Sequence, residues 1–214
     1  LKHYITDPDT KVAITTGDLA PEMAKASNAL APGERLAHLV VTQFSDAFDV
    51  NVTGIDAPPE AWMDWLGTRH PLPALEGGQA HAWTDALACA EAPPALSVGP
   101  ADLALLPYTS GTTGLPKGCM HLHKSIMHNT VAASLWGNGS ADNVTLAVVP
   151  MFHITGMVSV MHTSIYCGAT LVIMPRWDRD LAGRLISRHQ VTTWTNIPTM
   201  VIDLLGSPNF ASYD

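Results

Sequence analysis

The chain has 214 residues, 47% of them apolar and only 14% charged, a balance that excludes disorder and leaves enough apolar surface for a substantial core. Its formal net charge of −8, with no run of lysine or arginine, lacks the electrostatic footprint of a nucleic-acid-binding protein. Cys89, Cys119 and Cys167 are odd in number and far apart, so they read as reduced thiols of a cytoplasmic protein; no secretory leader is visible, and Pro150, His153, Gly156, His162 and Gly168 interrupt the most apolar stretch too often for a membrane span.

Residues 11–16 form a short β-rich run closed by Gly17-Asp18. Pro21 suits the first turn of a helix that reaches about Leu30, where Pro32-Gly33 ends it, and 36–42 is a second run of strand length. Between Asp46 and Gly78 the prolines and glycines predict loop, with one short helix near 60–66; a further helix spans 83–91, before Pro93-Pro94. Residues 103–108 predict an apolar strand, followed by a glycine-rich loop and a helix over 122–136. Then come a strand at 146–149, a helix at 155–166 and a strand at 170–174. Asp178 caps a helix whose Leu181, Leu185 and Ile186 share a face. Residues 192–197 close the set of strands, and Pro198 opens a helix that ends at Gly206.

Strands that alternate with helices and read as continuously apolar predict an α/β fold, with a mainly parallel sheet flanked by helices on both faces. In such sheets ligands gather at the carboxyl ends of strands. Both the loop after Leu106 and the Met151-Phe152-His153 turn after Val149 are expected there.

The loop Thr109-Ser110-Gly111-Thr112-Thr113-Gly114-Leu115-Pro116-Lys117-Gly118 has the composition of a phosphate cradle. Its glycines permit unusual backbone angles and close approach of main-chain N–H groups to phosphate oxygens. Four hydroxyls add donors, and Lys117 adds a positive charge. A Walker A loop requires Gly-Lys-Ser/Thr, whereas Pro116 precedes Lys117 here and Gly118 follows it, so an ordinary P-loop NTPase is disfavoured. His121, His123 and His128 invite a metal reading, but His121 and His123 would face different sides of a helix and no further ligand joins them at the right spacing; no metal site is expected. Met157 and Met161 lie on one helical face at i, i+4 and suit core packing or an acyl-binding wall equally.

The segment Tyr108–Gly118 resembles the signature loop of the adenylate-forming superfamily, which includes acyl-CoA synthetases, aryl-CoA ligases, beetle luciferases and the adenylation domains of peptide synthetases. Pro150-Met151-Phe152-His153-Ile154-Thr155-Gly156 resembles its second motif, and 192–199 the stretch before the floor of its acid pocket. The resemblance implies ATP, Mg²⁺ and CoA as the small molecules handled, beside a carboxylic acid. Thr109, Ser110, Gly111, Thr112, Thr113, Gly114 and Lys117 would hold the ATP phosphates. His153 would be the catalytic side chain at the junction of nucleotide and acid, with Gly156 and Met157 beside it on the substrate.

The resemblance spans residues 1–214 as part of a large N-terminal domain, with a less regular part over 1–100 and a phosphate-loop part over 101–214. The family's downstream glutamate, its ribose-binding aspartate, its C-terminal domain with a mobile lysine and a leading segment are not found in the chain. The implied reaction is attack of a carboxylate on the α-phosphate of ATP, followed by displacement of AMP by CoA, with a fatty acid as the expected substrate. The alternatives are an aryl-CoA ligase, a peptide-synthetase adenylation domain and, from another class, a non-catalytic nucleotide- or acyl-binding module.

Overall fold

The structure is a computed structural model, which describes residues 1–49, 51–54, 57–89, 91–109 and 114–214. Two compact units are present, one formed by Leu1–Val52 with Pro58–Ala95, the other by Thr53–Ala57 with Leu96–Asp214.

The first unit opens with helix α1 (Lys2–Thr6) and is built on a three-stranded parallel sheet of β1 (Val12–Thr16), β2 (His38–Thr42) and β3 (Gln79–Ala82), in that order. Helix α2 (Ala20–Asn28) starts with a proline in its first turn, where the missing N–H has no intrahelical partner to lose. Its Ala20 and Ala24 pack with Ile5, Leu36, Leu39 and Val41 in the core. Ser27 is fully buried on the same helix and is satisfied by the N–H of Leu36, which donates to its Oγ at 3.0 Å. Helix α3 (Met63–Gly67) continues a 3₁₀ turn at Glu60–Trp62, as the sequence predicts for this region, and α4 (Trp83–Ala88) follows β3 directly. Strand β3 was not foreseen: its Gln-Ala-His-Ala has neither branched residues nor an apolar run, and pairing with β2 supplies the conformation.

The second unit holds the expected α/β layering. Its parallel sheet has β8 (Val144–Ala147) in the centre, between β10 (Thr193–Trp194) and β9 (Thr170–Ile173). The fold therefore carries its parallel strands as two three-stranded sheets. Helices α7 (Arg179–His189) and α8 (Pro198–Leu205) pack on each other, and α7 packs on β8. Asp178 caps α7, its Oδ1 accepting from the N–H of Leu181 at 2.8 Å. Leu181 and Ala182 of α7 are buried, as are Leu146, Ala147, Val172 and Met174 of the sheet region.

Four short strands precede that sheet. Strand β4 (Leu103–Leu105) pairs antiparallel with β7 (His121–Leu122) across an irregular register, and β5 (Tyr108–Thr109) pairs antiparallel with β6 (Lys117–Gly118). The single apolar strand expected over 103–108 is thus broken in two, because its residues serve two different partners. His121 belongs to a strand and His123 opens helix α5 (His123–Trp136), so these two histidines do not share a helix.

The connection from β8 to β9 differs from expectation in kind. Its first half, Thr155–His162, is π-helical, and only Thr163–Cys167, helix α6, is α-helical. The wider turn leaves the carbonyl of Val158 to the N–H of Thr163, and the Thr163 hydroxyl donates to the same oxygen at 2.9 Å. Such π segments are rare and cluster at functional sites. Gly168, at φ 71°, ends the helix in the left-handed region that glycine adopts without strain.

The last turns of the chain are pinned by Asp180. Its Oδ1 accepts from Ser207 Oγ at 2.6 Å, from the Tyr213 hydroxyl at 2.7 Å and from Asn209 Nδ2 at 3.4 Å. The hydroxyls of Ser207 and Tyr213 hold the Asp180 carboxyl below the usual carboxylate range. Burial first, and the bond to Asp180 second, push the Tyr213 phenol up from its ordinary value. Gly183 of α7 lies under the Tyr213 ring so closely that a methyl there would overlap it.

Candidate functional site

The glycine-rich loop lies at the tip of the β5–β6 hairpin, where Thr109 stands opposite Lys117 and Tyr108 opposite Gly118. This corrects the sequence expectation that the loop follows a parallel strand: the strand before it returns on itself antiparallel. Ser110, Gly111, Thr112 and Thr113 lie outside the described residues. Thr109, Gly114 and Lys117 are exposed, and the Lys117 ammonium makes no ion pair among the described residues.

Neither Gly114 nor Gly118 adopts a left-handed φ. Gly118 is required for a different reason. A Cβ there would stand 2.8 Å from Leu106 Cγ and 3.1 Å from Tyr108 Cζ, so glycine lets the returning strand press on those side chains. Gly114 faces open space. Backbone freedom thus accounts for neither of the two glycines that the structure describes in this loop.

His153 follows the carboxyl end of β8, the central strand of its sheet, as expected for a ligand-facing position. Its turn is closed by two main-chain bonds, from His153 N to Pro150 O at 3.0 Å and from Met157 N to His153 O at 3.0 Å. The His153 ring is exposed, and its Nδ1 accepts from the Thr155 N–H at 3.2 Å. A neutral imidazole that accepts at Nδ1 carries its proton on Nε2, so the outer nitrogen presents a donor. Gly156 is buried where a methyl would overlap the carbonyl oxygens of Val149 and Pro150. Its lack of a side chain lets the π-helical segment start directly on the strand end.

No hydrogen bond among the described residues joins the hairpin to the His153 turn. A cavity of about 550 Å³ lies elsewhere in the second unit, between α5, the π-helical segment with α6, and the strands β8 and β10. Gly156 and Met157 do not line it, whereas Ser159, six residues after His153 on the same segment, does. Its sheet-side wall is Thr145, Thr193 and Thr195. These threonines correct the reading of the strands as continuously apolar, and their alternation in Thr193-Trp194-Thr195 is the sequence signal that could have located the cavity. Trp194, on the opposite face of β10, stacks on Trp177 at 5.6 Å and 7°, and Trp177 Nε1 donates to Asp203 at 2.8 Å.

The second unit is an α/β fold that carries a parallel sheet with helices packed on it and, separately, the β5–β6 hairpin. The sequence profile described as AMP-binding enzyme matches residues 1–214, and the chain belongs to that family. It is 37% identical over 126 residues to a 4-coumarate–CoA ligase from Pinus taeda, a match covering 56% of this chain and 23% of that one. It is 36% identical over 115 residues to a long-chain-fatty-acid–CoA ligase from Bacillus subtilis (strain 168), covering 53% and 20%. Among solved structures, the N-terminal domain of FACL13 from Mycobacterium tuberculosis superposes with a TM-score of 0.61 at 23% identity, over 96% of this chain and 54% of that one. That likeness speaks for the fold. The chain spans 23% and 20% of the two curated relatives just named. Among the described residues no helix is long and apolar enough to cross a membrane.

Proposed function

We propose that the chain is part of the large N-terminal domain of a cytoplasmic carboxylic acid–CoA ligase. The intact protein joins a carboxylate to the α-phosphate of ATP, releases pyrophosphate, and passes the acyl group from the adenylate to the thiol of CoA. The observation that carries this reading is the family match over the whole chain, with CoA ligases among its relatives.

The residues suit the first step. Thr109, Ser110, Gly111, Thr112, Thr113, Gly114 and Lys117 hold the phosphates that depart, where preorganised donors and one ammonium offset developing charge. His153 stands at the head of the acid-binding side and presents its Nε2–H to the reacting carboxylate, with Gly156 and Met157 setting the start of the segment that carries it. Mg²⁺ enters with the ATP phosphates; among the described residues no group of three acidic, histidine or cysteine side chains gathers to hold it.

The acid is a fatty acid on the first reading. The similarity to a 4-coumarate–CoA ligase favours an aryl acid as the second. Pyrophosphate exchange into ATP by the intact protein, driven in turn by fatty, aryl and amino acids, tests the proposal. Exchange with at least one fatty or aryl acid is expected, and silence across the whole panel overturns it.

A further inference from the structure

We propose that His38 and His81 form a binding site for a late first-row divalent cation, one that takes Cu²⁺ and Ni²⁺ ahead of Zn²⁺. The inference concerns the first unit alone and does not rest on the reading of the protein as a carboxylic acid–CoA ligase.

Strand pairing brings the two rings together. His38 opens β2 and His81 lies in β3; in their parallel ladder Gln79 stands opposite His38, and His81 opposite Val40. Leu39 and Val41 of β2 are fully buried in the core, so alternation puts His38 and Val40 on the other face of the sheet. His81 shares that face with its partner Val40. There His38 is exposed and His81 half-buried. His38 Nδ1 and His81 Nε2 stand 3.0 Å apart, with ring centroids at 5.2 Å and ring planes tilted by 42°. The two residues are 43 apart in the chain, so no spacing motif announces them.

Two facing imidazole nitrogens share one proton, one ring donating and the other accepting. When that proton moves to the far nitrogen of the ring that holds it, both rings stay neutral and both near nitrogens become ligands. Neutral imidazole is a ready ligand of copper, nickel and zinc. A modest rotation about the broad χ2 torsions turns the two lone pairs onto one cation beside the line that joins them. At metal–nitrogen distances of about 2.0–2.1 Å, nitrogens 3.0 Å apart subtend about 95° at the cation. That is close to the right angle of tetragonal Cu²⁺ and Ni²⁺ sites, whereas tetrahedral Zn²⁺ asks for a separation of about 3.3–3.4 Å. Among the described residues no group of three histidine, cysteine or acidic side chains gathers, so water completes the coordination. The formal net charge of −8 favours the approach of a cation.

The test titrates the intact protein, stripped of metal and free of any histidine tag, with Ni²⁺ and Zn²⁺ by calorimetry, and with Cu²⁺ by electron paramagnetic resonance. Ni²⁺ is expected to bind more tightly than Zn²⁺, and the first equivalent of Cu²⁺ to show two coupled nitrogens. Ni²⁺ should also raise the thermal midpoint, because the cation ties β2 to β3 in the folded state only. The two imidazoles act together on one sheet, so His38→Gln or His81→Gln is expected to weaken Ni²⁺ binding about tenfold or more. Each change should also reduce the Cu²⁺ spectrum to one coupled nitrogen and leave the metal-free midpoint as it was, since it removes no buried contact. Native affinity kept in both variants would assign the binding to other histidines and overturn the inference. A native protein that binds no equivalent of Cu²⁺ or Ni²⁺, or that prefers Zn²⁺ to Ni²⁺, overturns it as well. Pyrophosphate exchange enters none of these readouts, so the ligase reading stands or falls separately.

Discussion

Lys117 stands opposite Thr109 on the second strand of a two-residue ladder, exposed and without an ion pair among the described residues. A cation so placed contributes little to the fold, because no partner loses its charge when the lysine is removed. On the proposed reading, its worth is to the phosphates of ATP. Lys117→Ala in the intact protein is therefore expected to keep its thermal midpoint and to lose about a hundredfold in kcat for pyrophosphate exchange. A loss of stability, with activity per folded molecule unchanged, would make Lys117 a structural residue instead. His153 is held differently. The Thr155 N–H donates to Nδ1, so the turn and the tautomer of the neutral ring are one feature.

Among the elements, the connection after β8 positions His153, which the proposed reading places in the site. It must leave the strand, offer His153 at the edge and return along the sheet, and Gly156 makes the sharp entry possible by having no side chain between the carbonyls of Val149 and Pro150. Gly156→Ala is expected to destabilise the protein by about 1–3 kcal/mol, read as a lower denaturant midpoint at unchanged slope. The contact is with backbone, which has less room to yield than a side chain. A second device joins α7 to the last turns through Asp180, and its titration has a definite sign. The folded Asp180 carboxyl lies below its unfolded value, so its contribution to stability is complete above about pH 4 and is lost as pH falls through the lower folded value. The Tyr213 phenol lies above its unfolded value, so its contribution is complete below about pH 10 and is lost as pH rises through the higher folded value. Thermal midpoints followed across pH should show Asp180→Asn flattening the acid limb and Tyr213→Phe the alkaline limb. Profiles of the two variants that parallel the native one would mean that this cluster does not couple to unfolding.

For the whole molecule, the chain carries the β5–β6 hairpin and the histidine turn within a quarter or less of the length of the two curated relatives compared above. On the proposed reading, the groups that hold ribose, metal and the reacting carboxylate come from elsewhere in the protein. The 214-residue chain alone is thus expected to form no acyl-CoA from ATP, CoA and a fatty or aryl acid; product above background would show that the site is complete within it. The amino-acid sequence by itself determined what short-range chemistry specifies. The residues 109–118 mark a glycine-rich loop, 150–156 mark a turn after a strand that carries a histidine, and Asp178 and Pro198 mark helix starts, because caps and turns depend on residues adjacent in the chain. Tertiary structure alone decided the rest. Two-residue strands such as β5 and β6 are too short to show a period, so only pairing reveals that the loop is a hairpin tip. The cavity joins Thr145, Ser159, Ser164 and Thr193, which are distant in sequence and individually ordinary; packing of helices on the sheet is what turns them toward one space.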